Sequence, residues 1–331
     1  MAGDIKIFAG QSGKTFATRI CDYLGVQLGQ SEVIQFSDGN LFVRIQETVR
    51  DKEVFLVQPI GLKPNDEFVE ILFWLDAFKR ASANSVTAVI PYFGYAKGDK
   101  KDEPRVSIRA RVCAEAIELA GADRVVTMDL HSPQIQGFFK RPVDHLIASP
   151  ILCAAFKRFA IENFVVVSPD PGFAKQARKY ASQLGVSVAI GDKIRTGHDE
   201  RASVLELIGD VAGKNALIVD DFSTSGGTLA DIARMVREKG ANRIFAALSH
   251  VLLDAKGVAR IEDSPIELVI GTDTVINEHA QASAKFVTTS VAPLFAEALN
   301  RIHHSDSVSS LFDDIPEKVF AHAVLDAKVL S

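Results

Sequence analysis

Two adjacent carboxylates, Asp220 and Asp221, stand where an apolar run, Ala216 to Val219, gives way to Phe222-Ser223-Thr224-Ser225-Gly226-Gly227-Thr228. Four apolar residues in a row suit a short buried strand. From Thr228 the spacing turns helical, with Leu229, Ile232, Ala233 and Val236 stepping at three and four until Gly240. Strand, small-residue loop and helix start make an anion cradle. The helix N-terminus presents N–H groups with a partial positive charge, and Gly226-Gly227 lets the backbone come close to the anion. Ser223, Thr224, Ser225 and Thr228 add hydroxyl donors. Two carboxylates beside such a cradle repel an anion unless a diol or a metal ion lies between. A ribose 5-phosphate has that layout, with hydroxyls at one end and phosphate at the other. For one Asp, ending a strand and capping a helix is the simpler account; the whole string favours the sugar phosphate.

Three further groups have chemistry in reach. Asp129 and His131 follow the apolar run Arg124 to Met128, at the carboxyl end of a strand, where open α/β sheets place ligands. Asp129 can hold Mg²⁺ through water, and His131 can touch a phosphate or the metal; alone, such a histidine is more often structural. Asp170 stands at another strand end, in Ser168-Pro169-Asp170. Lys193-Ile194-Arg195 lies in a polar stretch, Gly191 to Ala202, which reads as a loop. Two cations two residues apart in extended chain project to one side. Over a triphosphate they neutralise charge developing in phosphoryl transfer; without that context they are a solvated surface.

The elements that must position these groups alternate strand and helix along the whole chain. Strands are expected at Ile5–Ala9, Val33–Phe36, Leu41–Ile45, Glu53–Gln58, Val86–Pro91, Arg124–Met128, Phe164–Ser168 and Val186–Ile190, with helices between most of them. Such alternation predicts an α/β protein with parallel, doubly wound sheets. At 331 residues the chain has room for two domains with a core each. An internal echo supports that: Gly121-Ala122-Asp123-Arg124-Val125 with His131 matches Gly240-Ala241-Asn242-Arg243-Ile244 with His250 at the same spacing. A net charge of −5 lacks the basic excess of a nucleic-acid binder. Three widely spaced cysteines, Cys21, Cys113 and Cys153, form neither a metal nor a disulfide pattern, which fits a reducing cytoplasm. The start, Met1-Ala2-Gly3-Asp4, is unlike a signal peptide, and no apolar run has membrane-spanning length.

The string 216–229 resembles the ribose-phosphate loop of type I phosphoribosyltransferase folds, and in detail the chain is similar to the ribose-phosphate pyrophosphokinases (phosphoribosyl diphosphate synthetases) from Phe8-Ala9-Gly10 to about Phe312. The resemblance implies two tandem, pseudo-symmetric phosphoribosyltransferase-like domains with parallel sheets flanked by helices. Residues 1–147, joined by a returning segment at about 293–331, are expected on the nucleotide side, and 148–292 to bind ribose 5-phosphate. It implies an enzyme of nucleotide biosynthesis that moves diphosphate from Mg-ATP to the 1-hydroxyl of ribose 5-phosphate, releasing AMP.

Residue by residue, the resemblance makes Lys193 and Arg195 catalytic. It gives Asp220 and Asp221 the ribose hydroxyls, and residues 223–228 the 5-phosphate. Asp129, His131 and Asp170 fall to the metal, with His131 also by the nucleotide. Phe36, Asp38 and Asn40 match an adenine-binding hairpin that reaches a neighbouring subunit, where an aromatic stacks on the base and an acid accepts from its amine. Lys97, Gly98 and Asp99 match the other ATP loop. Hexamers built from dimers are implied, and Arg50, Ser82, Ser307 and Ser309 resemble an effector site between subunits. The chain departs from the family pattern at Asn40 (usually Glu), Lys97-Gly98 (Arg-Gln), Lys140 (Asp) and Thr224 (often Asp). Lys for Arg at 97 loses a bidentate phosphate fork. A phosphoribosyltransferase and a catalytically weak regulatory subunit remain as alternatives.

Overall fold

A computed structural model describes residues 5–195, 203–312, 314–323 and 325. The chain divides into two compact units, the first of Met1–Ile147, Thr274–Ile276 and Val291–Ala323, the second of Ala148–Asp273, Asn277–Ser290 and Val324–Ser331. Among the described residues no helix is long and apolar enough to cross a membrane.

The first unit opens with strand β1 (Ile5–Ala9) and helix α1 (Lys14–Leu24), which ends at Gly25 in the left-handed region, φ +69°. Strands β2 (Ser31–Gln35) and β3 (Leu41–Ile45) form a separate antiparallel hairpin. Then come β4 (Glu53–Val57), α2 (Pro64–Arg80), β5 (Ser85–Ile90), α3 (Arg109–Ala120), β6 (Arg124–Met128) and β7 (Val143–Leu146). The five-stranded sheet runs β1-β4-β5-β6-β7, parallel throughout. Its strands are apolar runs because helices cover them. Phe8, Leu56, Trp74, Phe78 and Ile117 fill one core, and Val33, Val43 and Ile45 of the hairpin pack against it. Buried Glu70 is held at three points: it accepts from the Gln11 N–H (2.9 Å), the Trp74 indole (3.2 Å) and the Gln58 amide (3.3 Å).

The second unit contains α4 (Ser149–Lys157), β8 (Phe164–Ser168), α5 (Ala174–Leu184), β9 (Val188–Arg195), β10 (Ser203–Ile208), β11 (Asn215–Ser223), α6 (Gly227–Glu238), β12 (Ile244–Val251), α7 (Ala255–Glu262), β13 (Ile266–Thr272), α8 (Glu278–Ala282) and β14 (Phe286–Thr289). Its sheet order is β10-β9-β8-β11-β12-β13-β14, parallel except for β10 against β9. The chain then returns to the first unit as α9 (Ala292–His303), whose Phe295 meets Phe16 of α1 edge-on at 5.2 Å. Leu325 bridges Thr289 and belongs to the second unit. Cys21, Cys113 and Cys153 are buried, unpaired thiols in α1, α3 and α4.

The two units repeat one topology, but the sequence echo falls one strand out of step with it. Counted from β1 and β8, β6 is the fourth strand and β12 the third. Gly-Ala after a helix is a common stop before any strand, so it marks a helix end rather than the repeat. The equivalence lies where the backbone repeats its hydrogen bonds. Lys52 N–H reaches Val49 O at 3.1 Å, and Lys214 N–H reaches Val211 O at 3.1 Å. Asp51 N–H reaches Ser82 O and Gly213 N–H reaches Gly240 O, both at 2.9 Å. Asn84 N–H meets Lys52 O at 2.9 Å, and Asn242 N–H meets Lys214 O at 2.8 Å. Ser82 (φ +64°) and Gly240 (φ +91°) take the same left-handed step. So β4 corresponds to β11 and β5 to β12, and Gln58 stands where the second unit has Asp220.

Candidate functional site

In the second unit both acids are strand residues, because β11 continues past its apolar part to Ser223. Asp220 pairs with Leu248, and Phe222 with His250. Each acid spends one oxygen on the chain: Asp220 Oδ1 accepts from the Asp221 N–H at 3.0 Å, and Asp221 Oδ1 from the Phe222 N–H at 2.8 Å. Burial pushes the Asp220 carboxyl well above the usual carboxylate range, and the charges of Asp221 and then Asp170 push it further. Asp170 follows β8, the neighbour of β11, and is itself exposed, accepting from the Phe173 N–H at 3.0 Å. Negative charge is thus gathered where a cation or hydroxyl donors are needed to hold it, a pattern of binding sites. In the first unit the corresponding residue is a neutral amide, Gln58, wholly buried.

The cost has a measurable sign. A carboxyl whose folded pKa is raised favours the protonated folded state. Its contribution is full below the unfolded pKa near ~4 and is lost as pH rises through the folded value. Asp220→Asn, which stays neutral, is therefore expected to melt above the wild type at pH 7.5 without ligands, the gap closing towards pH 4. Melting curves across that range check it; a wild type as stable as the variant at pH 7.5 refutes the repulsion.

Beyond the acids, Gly226 is the N-cap of α6 with φ +69°, and a Cβ there would lie 2.9 Å from Gly257 O. Glycine at the cap brings no side chain to the first-turn N–H groups of α6, which the sequence reading began one residue later, at Thr228. Ser225 Oγ accepts from the Gly227 N–H at 3.4 Å, Ser223 is partly exposed, and Thr224, Ser225 and Thr228 face solvent.

The expected loop holding Lys193 and Arg195 begins as strand. Gly191 to Arg195 continue β9, with Lys193 opposite Leu205 and Arg195 opposite Ser203. The parallel pairing of β9 with β8 stops at Ile190, so beyond it β9 pairs with β10 alone. The antiparallel partner takes up the backbone N–H and C=O groups of this stretch. The rest of the stretch, 196–202, lies outside the described residues.

In the first unit, β6 ends at Met128 and the chain turns sharply at Asp129, φ +37°. A non-glycine residue there is strained, and the neighbouring strand holds it. The Asp129 N–H reaches Leu146 O at 3.1 Å, and the Leu130 N–H reaches His145 Nε2 at 2.8 Å. His145, unnoticed in the sequence, thereby holds the backbone just after the turn. His131 is exposed. At the hairpin tip Phe36 is 51% exposed, and the Phe36 N–H meets Asn40 O at 2.8 Å. The Asn40 N–H (3.0 Å) and side-chain amide (2.7 Å) both donate to Asp38, lowering its pKa. So Asn40 stiffens the turn.

Tyr95, φ +63°, opens the short turn Ala96–Gly98. Lys97 is exposed and Asp99 partly so, and a Cβ on Gly98 would lie 2.6 Å from Arg109 Nε. The departure at 98 thus leaves room for a guanidinium from the start of α3. Lys140 is exposed, and its N–H donates to Glu118 at 2.6 Å. Of the effector candidates, Arg50 and Ser82 are brought close by the Asp51 N–H to Ser82 O bond. Ser307 and Ser309 follow α9, where the Ser307 carbonyl accepts from Arg301 at 3.1 Å. His303, at the end of α9, bonds Glu53 of β4 at 2.7 Å.

A family model described as the N-terminal domain of ribose phosphate pyrophosphokinase matches residues 5–121, and one described as the phosphoribosyl synthetase-associated domain matches 195–313. A ribose-phosphate pyrophosphokinase of Chlorobaculum tepidum is 44% identical over 97% of this chain and all of its own length. One from Caldanaerobacter subterraneus subsp. tengcongensis is 46% identical over 93% of this chain and 98% of its own. The crystal structure of phosphoribosylpyrophosphate synthetase from Mycobacterium smegmatis superposes with a TM-score of 0.85 at 34% identity, covering 91% of this chain and 99% of that one.

Proposed function

This chain belongs to the ribose-phosphate pyrophosphokinase family, and we infer that it transfers diphosphate from ATP to the 1-hydroxyl of ribose 5-phosphate. The ribose oxygen bonds the β-phosphorus, the bond from that phosphorus to the α,β-bridging oxygen breaks, AMP leaves, and the hydroxyl proton is released. The observation that carries the sugar-phosphate part is the cradle: paired acids on β11 running directly into a glycine-capped helix start.

In this reading the second unit takes ribose 5-phosphate. Asp220 and Asp221 accept from the ribose hydroxyls, and residues 223–228 hold the phosphate. Lys193 and Arg195 stabilise charge on the diphosphate in flight. The first unit takes the nucleotide. Phe36, Asp38 and Asn40 receive adenine, while Lys97, Gly98, Asp99 and His131 meet its phosphates.

Mg²⁺ fits the donors present. Among the described residues no three His, Cys, Asp or Glu side chains gather into a ready-made metal site, and Mg²⁺ favours one or two carboxylates with phosphate and water completing its shell. Carboxylate oxygens crowded as at Asp220 suit a hard cation. Asp129 and His131 in the first unit would offer ligands to Mg²⁺ by the nucleotide phosphates, and Asp170 in the second would offer one near the ribose; a cation so held would neutralise phosphate charge.

The protein works in the cytoplasm as a homo-oligomer, a hexamer built from dimers, with Arg50, Ser82, Ser307 and Ser309 at an effector site between subunits. A phosphoribosyltransferase would leave the first unit without use, and a silent subunit would not keep the cradle intact. One assay decides: AMP release from ATP that depends on added ribose 5-phosphate. Release without the sugar phosphate, or none with it, sinks the assignment.

A further inference from the structure

The cradle loop has a backing that its own sequence does not reveal. Helix α7 carries Gly257, Arg260 and Ile261 at spacings of three and four, one face of a helix. That face lies against the loop. Gly226 has room for no Cβ, since one would sit 2.9 Å from Gly257 O and 3.3 Å from Ile261 Cδ1. A Cβ on Gly257 would lie 3.3 Å from the Ser225 carbonyl carbon. Arg260 Nη1 donates to Ser225 O, and it would lie 3.6 Å from a Cβ on Gly227. The helix is itself anchored, its N-cap Asp254 accepting from the Gly257 N–H at 2.7 Å.

We propose that Arg260 is a positioning residue of the ribose-phosphate site: by holding the Ser225 carbonyl against α7 it turns the loop's N–H groups towards the phosphate. The reason is peptide geometry. In a trans peptide the carbonyl of one residue and the N–H of the next point opposite ways. Pinning Ser225 O on the α7 side sends the Gly226 N–H to the other side. Gly226, at φ +69°, permits that turn, and the fork of Arg260 gives a charge-assisted bond to hold it. The guanidinium also adds positive charge beside a loop that must receive a phosphate, offsetting part of the field of Asp220 and Asp221.

This inference rests on the reading of the cradle as a ribose-phosphate site, and the experiment separates the two. Michaelis constants for ribose 5-phosphate and for ATP are measured in the full-length protein with Arg260→Ala, Arg260→Lys and Gly257→Ala. Arg260→Ala is expected to raise the constant for ribose 5-phosphate by about tenfold, the loss of one charged hydrogen bond, with that for ATP within about twofold. Arg260→Lys, which keeps a charged donor, should recover most of it. Gly257→Ala keeps Arg260 and presses on the loop's backing, since its Cβ would lie 3.0 Å from Leu253 Cδ2, 3.2 Å from Asp254 Oδ1 and 3.3 Å from the Ser225 carbonyl carbon; Arg260→Lys, which preserves the charged donor, tests the contact even where Arg260→Ala does not fold. Gly257→Ala too should lose ribose 5-phosphate and spare ATP. Folded variants with wild-type constants, or equal losses for both substrates, overturn the proposal. A wild type that shows no response to ribose 5-phosphate overturns the functional reading first, and this inference with it.

Discussion

Lys193→Ala is expected to lower turnover by about a thousandfold or more while the Michaelis constant for ATP stays within about tenfold. Removing one preorganised donor to developing charge costs about 10²–10³, and a cation on a transferring phosphoryl group about 10³–10⁵. The change falls on turnover because the interaction is made mainly in the transition state. Lys193 and Arg195 alternate along one strand, where β9 has left the parallel sheet and pairs only with β10. Steady-state kinetics of AMP release check it, and unchanged turnover removes Lys193 from the chemistry.

Asp221→Asn should raise the Michaelis constant for ribose 5-phosphate by about tenfold to a hundredfold and leave that for ATP nearly unmoved. The substitution keeps the shape, and an Asn Oδ1 can still accept the Phe222 N–H that Asp221 holds at 2.8 Å. What goes is the charged acceptor for a ribose hydroxyl. A site built to hydrogen-bond a hydroxyl loses heavily when its partner changes. Equal effects on both substrates would instead assign the pair to the metal or the fold.

The parallel α/β architecture was legible in the sequence because strands covered on both faces are written as apolar runs, such as Val86 to Ile90 or Phe164 to Val167. The cradle was legible for a local reason: strand, acids, small residues and helix start are consecutive. Strand Gly191 to Arg195 was not, because its partner is the antiparallel β10 rather than a core, and polar residues carry no apolar period there. The repeat was misaligned by one strand, since its true mark, the Asn84 and Asn242 bonds to Lys52 and Lys214, is made by backbone, and the link from β5 to β6 is longer than that from β12 to β13. His145 and Arg260 were missed because each acts on a segment distant in sequence, Arg260 on a loop 35 residues before it.

The three cysteines give the protein an internal clock for its own opening. Burial pushes the thiols of Cys21 and Cys113 up to about 11 and that of Cys153 up to about 12. At pH 8 the reactive thiolate is then on the order of one part in a thousand or less, and the sulfur is out of reach besides. An alkylating reagent added to the native protein therefore waits for the chain to expose them. Cys21 and Cys113 lie in the first unit and Cys153 in the second. The rate at which each mass tag appears reads the unfolding of one half of the molecule without any probe being introduced, and saturating ribose 5-phosphate should slow the tag on Cys153 first.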